Sequence, residues 1–267
     1  MKRSTNEFKQ VPIVVLCGGS GVVLDEHQGQ RLNKGLIQLQ NKPLFWWVML
    51  HYAIYGATDF LLATGYQSES FYAALNAAGA KADPGKPGCY EVTIAKTICQ
   101  VRIVATAQEA TTAERLLACK PWLEQFERFA LTYSDTLSDA DLGAEMRFHK
   151  SQKLVATLIA IKYPVRFRVL GMRQGEVIVR ALASRPVIEA AAINGGYYIF
   201  TSALWGGAYG IDKVTTLETL PLELMASDGQ LAAFEHNGRW QNCDAERDLD
   251  ELRKLTQYLD AMVVPIE

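Results

Sequence analysis

The chain has 267 residues, of which 49% are hydrophobic and 21% charged, and its formal net charge is −2. This length and composition are typical of a globular protein with a sizeable core. The near-neutral charge argues against a basic nucleic-acid-binding or membrane-surface protein, and no stretch is long and apolar enough to span a bilayer. Five scattered cysteines without metal-ligand spacing predict a reduced, cytoplasmic chain.

Strand-like and helix-like runs alternate through the first half of the chain. In order, we predict a buried strand at 13–16, a helix at 43–55, a strand at 59–63, a helix at 69–78, a strand at 101–105, a helix at 112–123 and a strand at 129–133. Strands and helices that alternate at this spacing predict a parallel sheet with helices on both faces.

The pattern changes after residue 150. Strand-like runs at 154–162, 168–170 and 177–179 indicate a mixed sheet, and 215–226 is typical of a capped helix. The Asn237-Gly238 pair between two short runs, 234–236 and 239–241, predicts a hairpin. The last predicted element is a helix at 245–262, where leucines recur at helical spacing.

The first strand runs directly into a glycine turn, Cys17-Gly18-Gly19-Ser20-Gly21, and Lys34 follows it. Glycines let a backbone approach closely, and unpaired N–H groups in such a turn can bind an anion such as a nucleotide phosphate. A Gly-Gly-x-Gly turn is weak on its own, because any tight connection after a strand can use it.

Two aspartates are candidate metal ligands. Asp135 follows the strand at 129–133, and ligands bind at the carboxyl ends of strands in open α/β sheets. Asp244 lies far along the chain, just before a helical run. Both carboxylates could chelate one Mg²⁺ ion, which prefers oxygen ligands. The alternatives are a turn or helix N-cap role for Asp135 and an N-cap role for Asp244.

A third candidate is Asn194-Gly195-Gly196, which leads into an aromatic strand. Two glycines at that place permit a bulky ligand to pack closely. The alternative is a simple turn before a core strand.

Taken in order, these stretches resemble the sugar-1-phosphate nucleotidyltransferases, and among them the glucose-1-phosphate cytidylyltransferases. The resemblance rests on Leu16–Gly21, Lys42-Pro43-Leu44, Tyr133-Ser134-Asp135, Asn194-Gly195-Gly196, and Trp240-Gln241 with Asp244. It implies a Rossmann-like α/β fold with a central mixed, mostly parallel sheet in a single domain over residues 1–267. The nucleotide-binding half would cover about 11–150, and the acceptor-binding half with the C-terminal helix about 151–267.

The resemblance also implies an activity in sugar nucleotide biosynthesis. Such an enzyme joins CTP, or another nucleoside triphosphate, to a sugar 1-phosphate or another small phosphorylated or phosphonylated acceptor. Pyrophosphate is released by Mg²⁺-assisted in-line attack. The implied partners are the nucleotide and the acceptor, without nucleic acid or membrane, and we expect a homo-oligomer.

Site residues follow from the resemblance position by position. Lys34, Arg31 and Asp135 would be catalytic, and Asp135 and Asp244 would bind Mg²⁺. The nucleotide-binding residues would be Leu16, Gly18, Gly19, Ser20, Gly21, Thr112, Arg115 and Ser134. The acceptor-binding residues would be Arg166, Arg185, Asn194, Gly195 and Gln241.

The glycine turn differs from the family pattern at one point. Val22-Val23 stand where the family has Thr-Arg, and that arginine neutralises triphosphate charge. Loss of such a group typically costs on the order of a hundred-fold in rate. Arg31 is the candidate replacement. The alternative function is a catalytically weak paralogue that binds a nucleotide or nucleotide-sugar as a regulatory or partner subunit.

Overall fold

The computed structural model describes residues 6–19, 22–24, 31–162, 169–171, 181–183, 192–212 and 216–263, with backbone alone at 22–24, 31, 169–171 and 181–183. The strands are β1 (Ile13–Cys17), β2 (Val22–Leu24), β3 (Arg31–Asn33), β4 (Gln38–Leu39), β5 (Lys42–Pro43), β6 (Asp59–Thr64), β7 (Lys81–Ala82), β8 (Cys89–Ile94), β9 (Thr97–Ala105), β10 (Arg128–Tyr133), β11 (Thr136–Ser138), β12 (Ala156–Ile161), β13 (Val169–Gly171), β14 (Ala181–Ala183), β15 (Ile193–Thr201), β16 (Leu231–His236) and β17 (Trp240–Asn242). The α-helices are α1 (Leu44–Ala53), α2 (Ser68–Ala77), α3 (Thr112–Leu123), α4 (Leu142–Gln152), α5 (Leu220–Ser227) and α6 (Leu249–Val263).

A nine-stranded sheet forms the centre of the fold, in the order β16-β12-β15-β10-β1-β6-β9-β8-β7. β1 pairs in parallel with β10 and β6, and β6 with β9. Only β8 and β15 run against the other strands of this sheet. The sheet is therefore mixed and mostly parallel, as the resemblance implies.

Helices cover both faces of the sheet, and β1 shows why. Its residues are all buried and alternate between two apolar clusters. Ile13 and Val15 join the cluster that contains α1, α4 and α6. Val14 and Leu16 join the cluster that contains α3 and α5. A continuous apolar strand of this kind is typical of a sheet buried on both sides, which confirms the predicted α/β class.

The structure corrects two local predictions. The hairpin predicted around Asn237-Gly238 is wrong: β16 pairs in parallel with β12, whereas β17 pairs with β11 in a separate two-stranded sheet. Long-range pairing with two different sheets outweighs the local turn signal. The helix predicted at 215–226 begins only at Leu220, after a turn. The strand predicted at 177–179 lies outside the described residues.

All five cysteines are free and buried, in keeping with small apolar core residues. No helix in the described part of the chain has the length and apolarity needed to cross a membrane.

Candidate active site

A pocket of about 350 Å³ opens at the carboxyl ends of β1 and β10. The structure brings together eight of the residues predicted for the site in its lining: Leu16, Gly18, Gly19, Lys34, Thr112, Arg115, Ser134 and Asp135. Ligands of open α/β sheets bind at this edge, because loops from neighbouring strands converge there. The pocket is therefore the candidate active site.

The short β11–β17 ladder brings the two predicted metal ligands to this edge. Thr136 lies opposite Asn242 in this antiparallel ladder. Asp135, which precedes Thr136, therefore lies next to Cys243, which follows Asn242. The Cys243 N–H donates to the Asp135 carbonyl at 2.9 Å. Asp244 is next in the chain, and its carboxylate thereby reaches Lys34, a pocket-lining residue, from a distant part of the sequence.

Lys34 lies between the two carboxylates. Its Nζ is 2.7 Å from Asp244 Oδ1 and 3.5 Å from Asp135 Oδ2. Burial alone would lower the pKa of Lys34, but the hydrogen bond to Asp244 and the charge of Asp135 outweigh it, so the pKa is raised. Burial raises the pKa of Asp135, and the nearby ammonium opposes that shift. The cluster holds one positive and two negative groups, so its excess negative charge can attract a further cation.

Asn33 fixes the position of Lys34. Its side chain accepts from the Gly35 N–H at 2.9 Å and caps the 3₁₀ turn Lys34–Leu36. Its Nδ2 donates to the Cys17 carbonyl at 2.7 Å and to the Tyr66 carbonyl at 3.2 Å. This buried amide ties the lysine to the ends of two strands. An N-cap asparagine before Lys34 is a sequence signal that points to this turn, although the sequence gives no hint of the long-range contacts.

Arg115 lies beneath the glycine turn. Its guanidinium donates to the carbonyls of Gly18 at 2.9 Å, Thr64 at 3.0 Å and Gln108 at 3.0 Å, and to the Thr106 hydroxyl. No carboxylate in the described ranges forms an ion pair with it. The residue holds three loops together and places a buried positive charge under the pocket, which favours an anionic ligand.

The N-cap alternative for Asp244 is wrong. Asp248 accepts from the backbone N–H groups of Asp244 and Ala245, both at 2.9 Å, and so caps the start of the C-terminal helical segment. The Asp244 carboxylate contacts Lys34 and the amide of Asn242 instead. The Asp244 carboxylate therefore lies beside Lys34 and does not cap the helix.

The predicted acceptor residues lie on β15 and β17. Gly195 accepts at its carbonyl from Trp240 Nε1 at 2.7 Å, which joins the two strands. A side chain at Gly195 would come within 3.0 Å of the Ile159 carbonyl, so glycine is needed there. Asn194 contacts the Tyr198 hydroxyl, and Gln241 donates to the neighbouring Asn242 carbonyl at 2.7 Å. None of these acceptor residues lines the pocket itself.

Four predicted site residues, Ser20, Gly21, Arg166 and Arg185, lie outside the described residues. At Arg31 the backbone pairs with Leu24 across β2 and β3, and the side chain is not described. Sequence reasoning missed Thr111, Tyr133 and Thr216, which also line the pocket. The Thr111-x-x-Glu114 pattern was an available signal, since it forms a capping box at the start of α3.

Comparisons with known proteins identify the family. The chain is 30% identical over 246 residues to glucose-1-phosphate cytidylyltransferase of Salmonella typhimurium, covering 88% of this chain and 91% of that protein. It belongs to the sugar-1-phosphate nucleotidyltransferase family. A probable glucose-1-phosphate cytidylyltransferase of Bacillus subtilis is 27% identical over 255 residues, 91% of this chain and 94% of that one.

A solved structure shares the fold of this family member. It is a putative glucose-1-phosphate thymidylyltransferase from Bacillus anthracis, with a TM-score of 0.64 and 16% identity, covering 92% of this chain and 95% of that chain. No family model matches the chain.

Proposed function

We propose that this chain transfers a nucleotidyl group from a nucleoside triphosphate, CTP in first place, to a sugar 1-phosphate or a related small phosphorylated or phosphonylated acceptor. The observation that carries the proposal is the cluster of Lys34, Asp135 and Asp244: Lys34 and Asp135 line the glycine-turn pocket, and Asp244 pairs with Lys34. CTP is favoured because the two curated relatives above are named cytidylyltransferases. Cytoplasmic location and homo-oligomeric assembly stay predictions.

The proposed reaction is an in-line displacement. An acceptor phosphate oxygen attacks the α-phosphorus of the nucleotide, a new P–O bond forms, and the bond from the α-phosphorus to the oxygen that bridges to the β-phosphate breaks. The electron pair leaves with pyrophosphate. Catalysis of such a step is mainly positioning and neutralisation of charge. The N–H groups of the glycine turn would hold the phosphates, and Lys34 would neutralise the reacting ones.

The donor set fits Mg²⁺. Asp135 and Asp244 both reach one ammonium, so they can also converge on one metal ion, and their oxygens suit a hard cation. The described residues contain no cluster of three or more His, Cys, Asp or Glu side chains that could hold a metal. Two carboxylates with phosphate oxygens and water are a common Mg²⁺ environment. Bound there, Mg²⁺ would supply positive charge to the phosphates that react.

A second candidate function follows from the glycine turn. Because Val23 replaces an arginine of the family pattern, the chain could bind a nucleotide or nucleotide-sugar as a catalytically weak regulatory or partner subunit. Retention of Lys34 and both aspartates favours the enzyme.

The test is product formation. The purified chain is incubated with CTP, glucose 1-phosphate and Mg²⁺, and ³¹P NMR follows the appearance of pyrophosphate and of a nucleoside diphosphate sugar. Other nucleotides and sugar phosphates are compared under the same conditions. Asp135→Asn should abolish product, whereas Asp250→Asn, on the exposed face of α6, should not. Nucleotide binding without product from any acceptor would support the second candidate.

A further inference from the structure

Glu218 joins two walls of the pocket. Thr112 Oγ1, at the start of α3, donates to Glu218 Oε2 at 2.7 Å. The Tyr133 hydroxyl, at the end of β10, donates to the other oxygen, Oε1. Both hydroxyl-bearing residues, Thr112 and Tyr133, line the pocket, whereas Glu218 does not. One side chain therefore bridges the two elements that flank the opening.

The turn that carries Glu218 is itself attached to α3. The Leu217 N–H donates to Thr112 Oγ1 at 2.8 Å. The Thr112 hydroxyl thus accepts from the Leu217 N–H and donates to Glu218. Its single proton is used in that bond and cannot also be donated to a ligand. Thr112 can then serve the nucleotide through the backbone, because the first N–H groups of a helix have no intrahelical partner. The bridge determines where that helix start lies.

Tyr133 extends the bridge to the acceptor side. A side chain at Gly196 would come within 2.9 Å of the Tyr133 ring, so the tyrosine lies closely against β15. The ring also meets Tyr198 edge-on, with 6.4 Å between ring centroids. Asp135 follows two residues later. Glu218 therefore contacts two elements of the site. Through the Tyr133 hydroxyl it contacts the segment that carries Asp135, a proposed metal ligand, and through the Thr112 hydroxyl it contacts the start of α3.

We propose that Glu218 is a positioning residue for nucleotide binding: its carboxylate holds Thr112 and Tyr133 so that the start of α3 and the end of β10 keep the spacing a nucleoside triphosphate requires. The inference rests on the proposed function. A carboxylate suits the task because it only accepts, so both hydroxyl protons turn toward it. Glu218→Ala would remove the hydrogen bonds to both Thr112 and Tyr133, whereas Glu218→Gln keeps the length of the side chain and one acceptor oxygen.

The experiment compares Glu218→Ala, Glu218→Gln and the wild type by calorimetric titration with CTP and Mg²⁺. Loss of two hydrogen bonds to a charged group should weaken CTP binding roughly ten- to a hundred-fold in Glu218→Ala. Glu218→Gln should stay within a few-fold of the wild type. Glu223→Gln, at an exposed position five residues later, is the matched control and should bind as the wild type does. In steady state, KM for CTP should rise more than kcat falls.

Tyr133→Phe keeps the inference testable if Glu218→Ala does not fold, because it removes a single hydroxyl. It should weaken CTP binding several-fold. Adding Glu218→Gln to Tyr133→Phe should cost little more, since the amide keeps an acceptor oxygen for the Thr112 hydroxyl. Wild-type affinity in both Glu218→Ala and Tyr133→Phe would overturn the inference. Equal losses in Glu218→Gln and Glu218→Ala would also overturn it and indicate a direct role for the charge. A wild type that binds none of CTP, UTP, GTP, ATP and dTTP would overturn the proposed function together with the inference.

Discussion

Lys34 and Asp244 are 210 residues apart in the chain, and their side chains meet in a 2.7 Å hydrogen-bonded ion pair. The same ammonium lies 3.5 Å from Asp135. A lysine therefore holds the two carboxylates that we propose as metal ligands. A bound triphosphate would offer this ammonium an alternative anion, so nucleotide and metal should favour each other's binding.

Replacement of Lys34 by Met should release both carboxylates. Without nucleotide, the variant should bind Mn²⁺, a spectroscopic substitute for Mg²⁺, roughly tenfold or more tightly than the wild type, because a positive charge has left the site. Turnover should nevertheless fall sharply. The free-ion signal in electron paramagnetic resonance measures the affinity.

Lys42→Met is the matched control, since Lys42 lies over the Trp46 ring rather than against an aspartate. An unchanged Mn²⁺ affinity in Lys34→Met would show that Lys34 and a metal ion do not compete for the two carboxylates.

Gly18→Ala should destabilise the fold through Arg115. A methyl group at Gly18 would lie 1.9 Å from the guanidinium carbon, so the buried arginine would have to move. We expect a loss of about 1–3 kcal/mol in the free energy of unfolding, measured in urea. Gly206→Ala should be nearly neutral, because nothing lies within 4 Å of the added carbon. In an Arg115→Met background the penalty of Gly18→Ala should shrink; strictly additive effects would refute the contact.

Glu145 predicts an unusual pH dependence of stability. Its carboxyl is buried in α4, neither oxygen has a hydrogen-bond partner among the described residues, and burial raises its pKa to about 8. An unfolded glutamate loses its proton near pH 4.3. The stability that comes from the protonated form is therefore complete below about pH 4.3 and is lost as the pH rises toward 8.

Glu145→Gln cannot ionise and should show no such loss. The free energy of unfolding of the variant minus that of the wild type should rise between pH 5 and 8, by at most about 1.4 kcal/mol per pH unit. Burial lowers the pKa of His51 and of His149 to about 4, and both histidines are present in both proteins, so their contributions cancel. The exposed Glu124→Gln is the control. Parallel pH profiles for Glu145→Gln and the wild type would contradict the prediction.

The glycine turn offers a gain-of-function test. Val22→Thr with Val23→Arg restores the family pattern and should raise turnover with glucose 1-phosphate, by up to roughly a hundred-fold if the missing charge limits the rate. Val23→Met adds length without charge and should not. If Arg31 already replaces that charge, Arg31→Ala should be nearly as damaging as Lys34→Met, and the restored turn should gain little. A silent Arg31→Ala would exclude the replacement.

Local sequence patterns were sufficient to predict which edge of the sheet carries the site. Asp135 was predicted there because it follows a buried strand, and the glycine turn was predicted there for the same reason. Both inferences use local patterns and a general rule of α/β sheets. The structure places both in one pocket.

Other contacts could not be predicted from local patterns. Lys34 meets Asp244 only because β17 leaves its neighbour β16 and pairs with β11, and the Asn237-Gly238 signal indicated the opposite. Arg115 was assigned to nucleotide binding by resemblance, and nothing in its surroundings in sequence indicated the four oxygens that its guanidinium contacts. Glu218 is indicated by the sequence only as part of the capped helix predicted at 215–226; its role at the pocket depends on two hydroxyls that are distant in the chain.

The most direct test of the central claim is thermal unfolding of the chain with Mg²⁺ and, separately, CTP, UTP, GTP, ATP and dTTP. A ligand that binds only the folded state at a hundred times its Kd adds about 2.7 kcal/mol of stability, which corresponds to roughly 5–10 °C in Tm for a chain of this size. We predict that CTP gives the largest rise in Tm and that Asp135→Asn reduces it. If no nucleotide raises Tm, the pocket at the end of β1 does not bind a nucleoside triphosphate and the proposed function is wrong.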